Sequence, residues 1–151
     1  MLINVILMCM VFNTARGFNL PKPQRSDDVG EVIHFGPCRK WIKCISGDKA
    51  INDEYDACVK ITPEEKLLKV VKRVSSYASK DWPDIETAFL EMCKMDGEEQ
   101  EDIMFEVTRS AVEEYSATCA DMMQAEACKK MAEMNDCGAA VLNRVHFEGK
   151  C

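Results

Sequence analysis

Cysteine sets the first limit on what this chain can fold into. Nine occur among 151 residues, and eight of them, Cys38, Cys44, Cys58, Cys93, Cys119, Cys128, Cys137 and Cys151, lie beyond the first 37 positions. The ninth, Cys9, sits in Met1–Phe12, an apolar run too short to span a bilayer. Ala15 and Gly17 follow it at the spacing a signal peptidase uses, so residues 1–17 read as a secretory signal peptide. The run carries no Lys or Arg at its start, which leaves the amino terminus as its only positive charge. Removing it leaves an even number of cysteines in a small chain, the pattern of a disulfide framework in an oxidising compartment. The expected product is a secreted, extracellular protein. Losing Arg16 takes the formal charge from −7 to −8. So acidic a protein is poorly matched to nucleic acid or to an anionic membrane.

Residues 18–37 hold Pro21, Pro23, Gly30, Gly36 and Pro37 and few periodic apolar positions, so they predict an extended N-terminal arm. Residues 38–151 predict one disulfide-stapled helical domain of about five helices, all-α, because no two alternating apolar runs flank a tight turn. The clearest helix spans about 62–79. Thr62 and Glu65 have the spacing of a capping box, and Pro63 suits the first turn. Leu67, Leu68, Val70, Val71, Val74, Tyr77 and Ala78 share one face, and Lys66, Lys69, Lys72 and Arg73 the other. A shorter helix is expected over 48–60. Another starts near Pro83 and uses Gly97 as its C-cap. A further one begins among the acids Glu98–Asp102, with Ile103, Val107, Ala111, Tyr115 and Cys119 as its stripe. The last runs from Ala125 through Cys137 and stops at Gly138.

Cys119, Cys128 and Cys137 follow one another at nine-residue intervals. Nine helical residues turn through about 900°, half a turn out of phase, so Cys128 and Cys137 point to opposite sides of one helix. They must staple that helix to two different neighbours. Cys58-Val59-Lys60-Ile61-Thr62-Pro63-Glu64-Glu65 and the Cys119–Cys128–Cys137 series resemble the insect odorant-binding-protein family over roughly residues 45–138. The resemblance implies bridges Cys58–Cys93 and Cys119–Cys137. Phe89 stands where that family has its second cysteine, which leaves Cys128 to bond Cys38, Cys44 or Cys151. It also implies a small apolar ligand carried in a cavity between helices.

Two candidate sites follow. Seven methionines lie between Met92 and Met134, and such flexible, polarizable side chains suit a pocket for varied apolar ligands. Leu67, Val71, Phe89, Met92, Met104, Tyr115, Met123 and Met131 are the expected lining. The plain alternative is that the methionines fill gaps in a small core. The second candidate is Cys38-Arg39-Lys40-Trp41-Ile42-Lys43-Cys44, where Arg39, Lys40 and Lys43 surround Trp41. Exposed, this segment is a hot spot for an extracellular receptor or channel, as in a venom toxin. Docked, it is a helical turn with Trp41 buried.

No enzyme is expected. GxSxG, HExxH and P-loop motifs are missing, and neither His34 nor His146 lies beside a plausible nucleophile. Neither a cofactor nor a metal is expected, since there is no CxxC and Asp53, Glu54 and Asp56 lack EF-hand spacing. The expected role is a secreted, non-enzymatic binding protein for a small hydrophobic ligand. The alternative is a disulfide-rich effector acting through its surface.

Overall fold

The computed structural model describes residues 32–151. The expected signal peptide and most of the expected arm lie outside that range. Among the described residues the fold is all-α, with six α-helices. They are α1 (Phe35–Lys40), α2 (Lys49–Val59), α3 (Glu64–Tyr77), α4 (Ile85–Met92), α5 (Gly97–Ala120) and α6 (Ala125–Phe147). A 3-10 turn at Val32–His34 leads into α1, and a π-helical segment, Trp41–Ile45, continues it. The end of the expected extended arm, from Val32 to Pro37, is therefore helical. Pro37 sits in the first turn of α1, where its missing N–H costs no helical bond.

Aspartates start three of these six helices. Asp48, Asp84 and Asp96 each accept a hydrogen bond from a backbone N–H of the helix they precede, at α2, α4 and α5. Gly97 is thus the first residue of α5 and not the C-cap of α4. Helix α3 differs from expectation in a similar way. Its N-cap is Pro63, and the Thr62 hydroxyl is buried with no hydrogen-bond partner, so the capping box does not form. The helix closes on Ser79 at φ 52°. Lys80 N–H donates to the Ser75 carbonyl and Ser79 N–H to the Ser76 carbonyl, a left-handed cap of the kind usually given to glycine. Gly138 does not stop α6. It is buried against the Tyr55 ring, where a Cβ would lie 3.8 Å from Cε2, and the helix runs on to Phe147.

The apolar side chains form two clusters. Val70, Val71, Val74, Phe89, Met92 and Met104 lead the one built by α3, α4 and α5. Ile42, Ile51, Tyr55, Val141, Leu142 and Val145 lead the other, built by α1, its π-helical extension, α2 and α6.

Four disulfides tie these parts together. Cys58–Cys137 joins α2 to α6, and Cys38–Cys151 joins α1 to the chain just past α6. Cys44–Cys93 bridges the two clusters, and Cys119–Cys128 links α5 to α6. Cys128 and Cys137 do engage different neighbours, as half a helical turn requires. The partners are not those the family resemblance implies. Cys58 takes Cys137 instead of Cys93, Cys119 takes Cys128 instead of Cys137, and Cys128 bonds none of Cys38, Cys44 and Cys151. Two placements in the fold account for part of this. The short turn Met122–Gln124 brings the end of α5 to the first turn of α6, with the Cys119 and Cys128 Cα atoms 4.8 Å apart. The π-helical segment then lays Cys44 beside Cys93, with Cα atoms 5.2 Å apart.

Candidate functional site

The residues expected to line a cavity are not gathered around one. Val71, Phe89, Met92 and Met104 pack against one another in the first cluster, and Met92 is fully buried. Met131 is buried as well. Leu67 and Tyr115 are half-buried. Met123 sits in the α5–α6 turn at 92% exposure, next to an equally exposed Met122. Most of these side chains are the core itself.

The basic tryptophan segment is docked. Trp41 packs on the second cluster, with the Lys150 ammonium 5.7 Å from its ring centroid. Arg39 donates to the Tyr55 hydroxyl and to Thr108 Oγ1, both at 2.9 Å. Lys43 pairs with Asp56 at 2.7 Å and lies 5.2 Å from the Phe89 ring centroid. Only Lys40 is loosely held, 4.0 Å from Glu101. This segment joins the two clusters and presents little to solvent.

A third arrangement comes from α3 and α5 together. Helix α3 places Lys69, Lys72, Arg73 and Tyr77 along one stripe, and α5 places Glu106 and Arg109 opposite. Between them runs an open groove of about 460 Å³. Its arginines are held from below. Glu106, 4% exposed, accepts two bonds from Arg109, at 2.8 and 2.7 Å, and one from Ser110. Glu114, 3% exposed, accepts from Arg73 at 2.9 Å and from Lys66 at 3.3 Å, with Lys69 3.5 Å away. Lys66 is buried too and also bonds Gln124, so the lysine face of this helix is only partly solvated.

The charges of these groups are fixed by their neighbours. The Arg109 hydrogen bonds hold the Glu106 carboxyl below the usual glutamate range against the opposing effect of burial. Burial acts first and upward on Glu114. The Lys66 hydrogen bond and the charges of Lys69, Lys66 and Arg73 outweigh it, so this carboxyl is also lowered. Both acids therefore stay ionised and keep their arginines pointed at the groove.

Beside the groove, α5 exposes Phe105 at 71% and Val112 at 58%. With Arg109 they stand at i, i+4 and i+7 of one helical face. Tyr77, at 55%, faces solvent from α3. Sequence reading missed this stripe because it followed the inward face of each helix. The signal was present as apolar residues recurring on the outer face of α5.

No protein family, curated protein or solved structure matches the chain in comparisons. None of the described helices is long and apolar enough to cross a membrane.

Proposed function

We propose that the protein is a secreted, non-enzymatic effector that binds an extracellular macromolecular partner through the face formed by α3 and α5. The observation that carries this reading is one of placement. Phe89, Met92 and Met104, expected to line an interior cavity, are packed as core, while Arg73, Tyr77 and Arg109 line the groove and Phe105 and Val112 stand exposed on α5. Arginine and tyrosine dominate binding hot spots. Here the arginines are already oriented by buried carboxylates, which lowers the entropy lost on association. The cations call for acidic groups on the partner, set around an apolar patch that meets Phe105 and Val112.

A small amphipathic anion, such as a fatty acid, is the second reading. What favours it is the groove, whose volume of about 460 Å³ falls in the range of small-ligand sites. Lysine and arginine heads would hold the carboxylate there, and their aliphatic stems the chain.

One experiment separates the two. A photo-cross-linking residue is placed at position 105, and another at Leu90, an exposed residue of α4. Each protein is applied to intact cells, and a hydrophobic fluorescent probe is titrated in parallel with oleate as competitor. The effector reading predicts a discrete adduct from position 105 alone, lost in Lys72→Glu and Tyr77→Ala, and no saturable probe uptake. Saturable uptake displaced by oleate and weakened by Lys72→Glu would support the small-ligand reading instead. Equal adducts from both positions would defeat the assignment of the face.

A further inference from the structure

Cys119–Cys128 differs from the other three disulfides in where it sits. Cys119 is exposed and Cys128 half-buried. Cys38 and Cys58 are fully buried in their own bridges, and both members of Cys44–Cys93 are half-buried. Cys119–Cys128 also spans only 9 positions, against 49, 79 and 113 for the others. A bridge that closes the shortest loop restrains the unfolded chain least, so the fold depends on it least. With it open, α6 stays tied to α2 through Cys58–Cys137.

The two sulfurs stand at helix ends of opposite polarity. Cys119 is the next-to-last residue of α5, Gly97–Ala120. The carbonyls at that end disfavour a thiolate. Asp121, which follows α5, adds a negative charge. Hydrogen bonds from the Gln124 side chain and the Met123 N–H hold its carboxyl below the usual aspartate range. Cys128 lies in the first turn of α6, Ala125–Phe147, where free main-chain N–H groups favour a thiolate. Lys129 and Lys130, both exposed, follow it directly. Glu126 is the acid of that turn, and at two residues' spacing it does not face Cys128.

We infer that Cys119–Cys128 is a thiol–disulfide exchange site, attacked at Cys119 by the cysteine thiolate of a peptide or protein, with Cys128 as the leaving group. The incoming sulfur bonds to Cys119 Sγ as the bond to Cys128 Sγ breaks. The electron pair leaves on Cys128 Sγ, which then takes a proton from solvent. The product holds its substrate as a mixed disulfide on Cys119 and has a thiol at Cys128. Apart from the attacking thiolate, no oxidant or reductant is consumed. Cys128, once deprotonated, can attack the mixed disulfide in turn, expel the substrate as a thiolate and restore the original bond. Helix polarity sets the direction, because the sulfur better able to carry charge leaves faster. This chemistry uses the α5–α6 turn and not the α3–α5 face, so it stands or falls separately from the partner-binding proposal.

The test uses the full oxidised protein, incubated near neutral pH with reduced glutathione. Samples are quenched with acid, alkylated with N-ethylmaleimide and mapped by mass spectrometry, with helix content followed by circular dichroism. The first product should carry glutathione on Cys119 and the maleimide on Cys128, with glutathione on Cys119 in roughly tenfold excess over Cys128. The other three bridges should stay closed and helix content unchanged. A second arm replaces glutathione by a small protein with one surface cysteine. A dimer linked through Cys119 identifies a protein thiol as substrate, and an adduct with glutathione alone identifies a low-mass thiol. The double change Cys119→Ser, Cys128→Ser should abolish uptake. The wild-type map decides the matter even if that variant folds poorly. Glutathione mainly on Cys128, another bridge opening first, or opening only with loss of helix content would overturn the inference.

Discussion

Lys66 Nζ and Glu114 Oε1 lie 3.3 Å apart, with side-chain exposures of only 5% and 4%. Lys66 comes from α3 and Glu114 from α5, so their ion pair ties the two helices together. Glu114→Gln keeps the shape of the side chain and leaves a buried ammonium without its counter-charge. Stability should fall by about 3–5 kcal/mol, measured by urea unfolding. Replacing Lys66 and Glu114 together by methionine should recover most of that loss. A cost well below 1 kcal/mol for the single change would mean that the pair is open to water.

The same carboxylate gives stability a defined dependence on pH. The Glu114 carboxyl, though raised by burial, ends below its ordinary value of 4.5 through the Lys66 hydrogen bond and the charges of Lys69, Lys66 and Arg73. The Glu106 carboxyl ends below it as well, through its Arg109 hydrogen bonds. A depressed carboxyl stabilises the fold fully above the unfolded-state value and loses that contribution as pH falls through the folded-state value. Unfolding free energy should therefore decline as pH drops below about 4.5, with protons taken up on unfolding. In Glu114→Gln the acid slope should be shallower. An unchanged slope would remove Glu114 from the account.

Thr62 separates a cap from a buried orphan. Its hydroxyl lacks a partner and the residue is 7% exposed. An N-cap threonine costs about 1 kcal/mol when removed. An unsatisfied buried hydroxyl instead burdens the fold by about 1–3 kcal/mol. Thr62→Val, which keeps the volume, should be neutral or raise the urea midpoint. A loss of about 1 kcal/mol would restore the capping box that the sequence suggests.

Met92 tests whether the interior is packed or held open for a ligand. It is fully buried among Val71, Phe89 and Met104. Met92→Ala should cost about 2–5 kcal/mol, the range for emptying a packed site. Cavity lining left free for a ligand would give much less, so a loss under 1 kcal/mol would revive the interior-carrier reading.

Much of the helical plan was legible in the residues, because it depends on short-range signals. Pro63 with its glutamates marked α3, and the apolar repeat from Ile103 marked α5. The shorter helix expected over 48–60 is α2, Lys49–Val59. What escaped depends on tertiary context. Gly138 looks like a stop, yet the Tyr55 ring covers it and α6 continues. Lys66 looks like a solvated lysine, yet Glu114, distant in sequence, draws it inside. The disulfide partners escaped because pairing depends on how α6 lies against both α2 and α5. No local spacing encodes that. The outward stripe of Phe105, Arg109 and Val112 was readable, but only to a search for apolar residues on the wrong face of a helix. The stacking of His34 on His146 was not, since the two rings meet only when both ends of the described residues converge.

The cysteine pairing underlies the packed interior and the α3–α5 face. Mass spectrometry of proteolytic fragments from the non-reduced protein reads it directly. The account predicts linked peptides for Cys38–Cys151, Cys44–Cys93, Cys58–Cys137 and Cys119–Cys128. Fragments joined through Cys58–Cys93 and Cys119–Cys137 would contradict it.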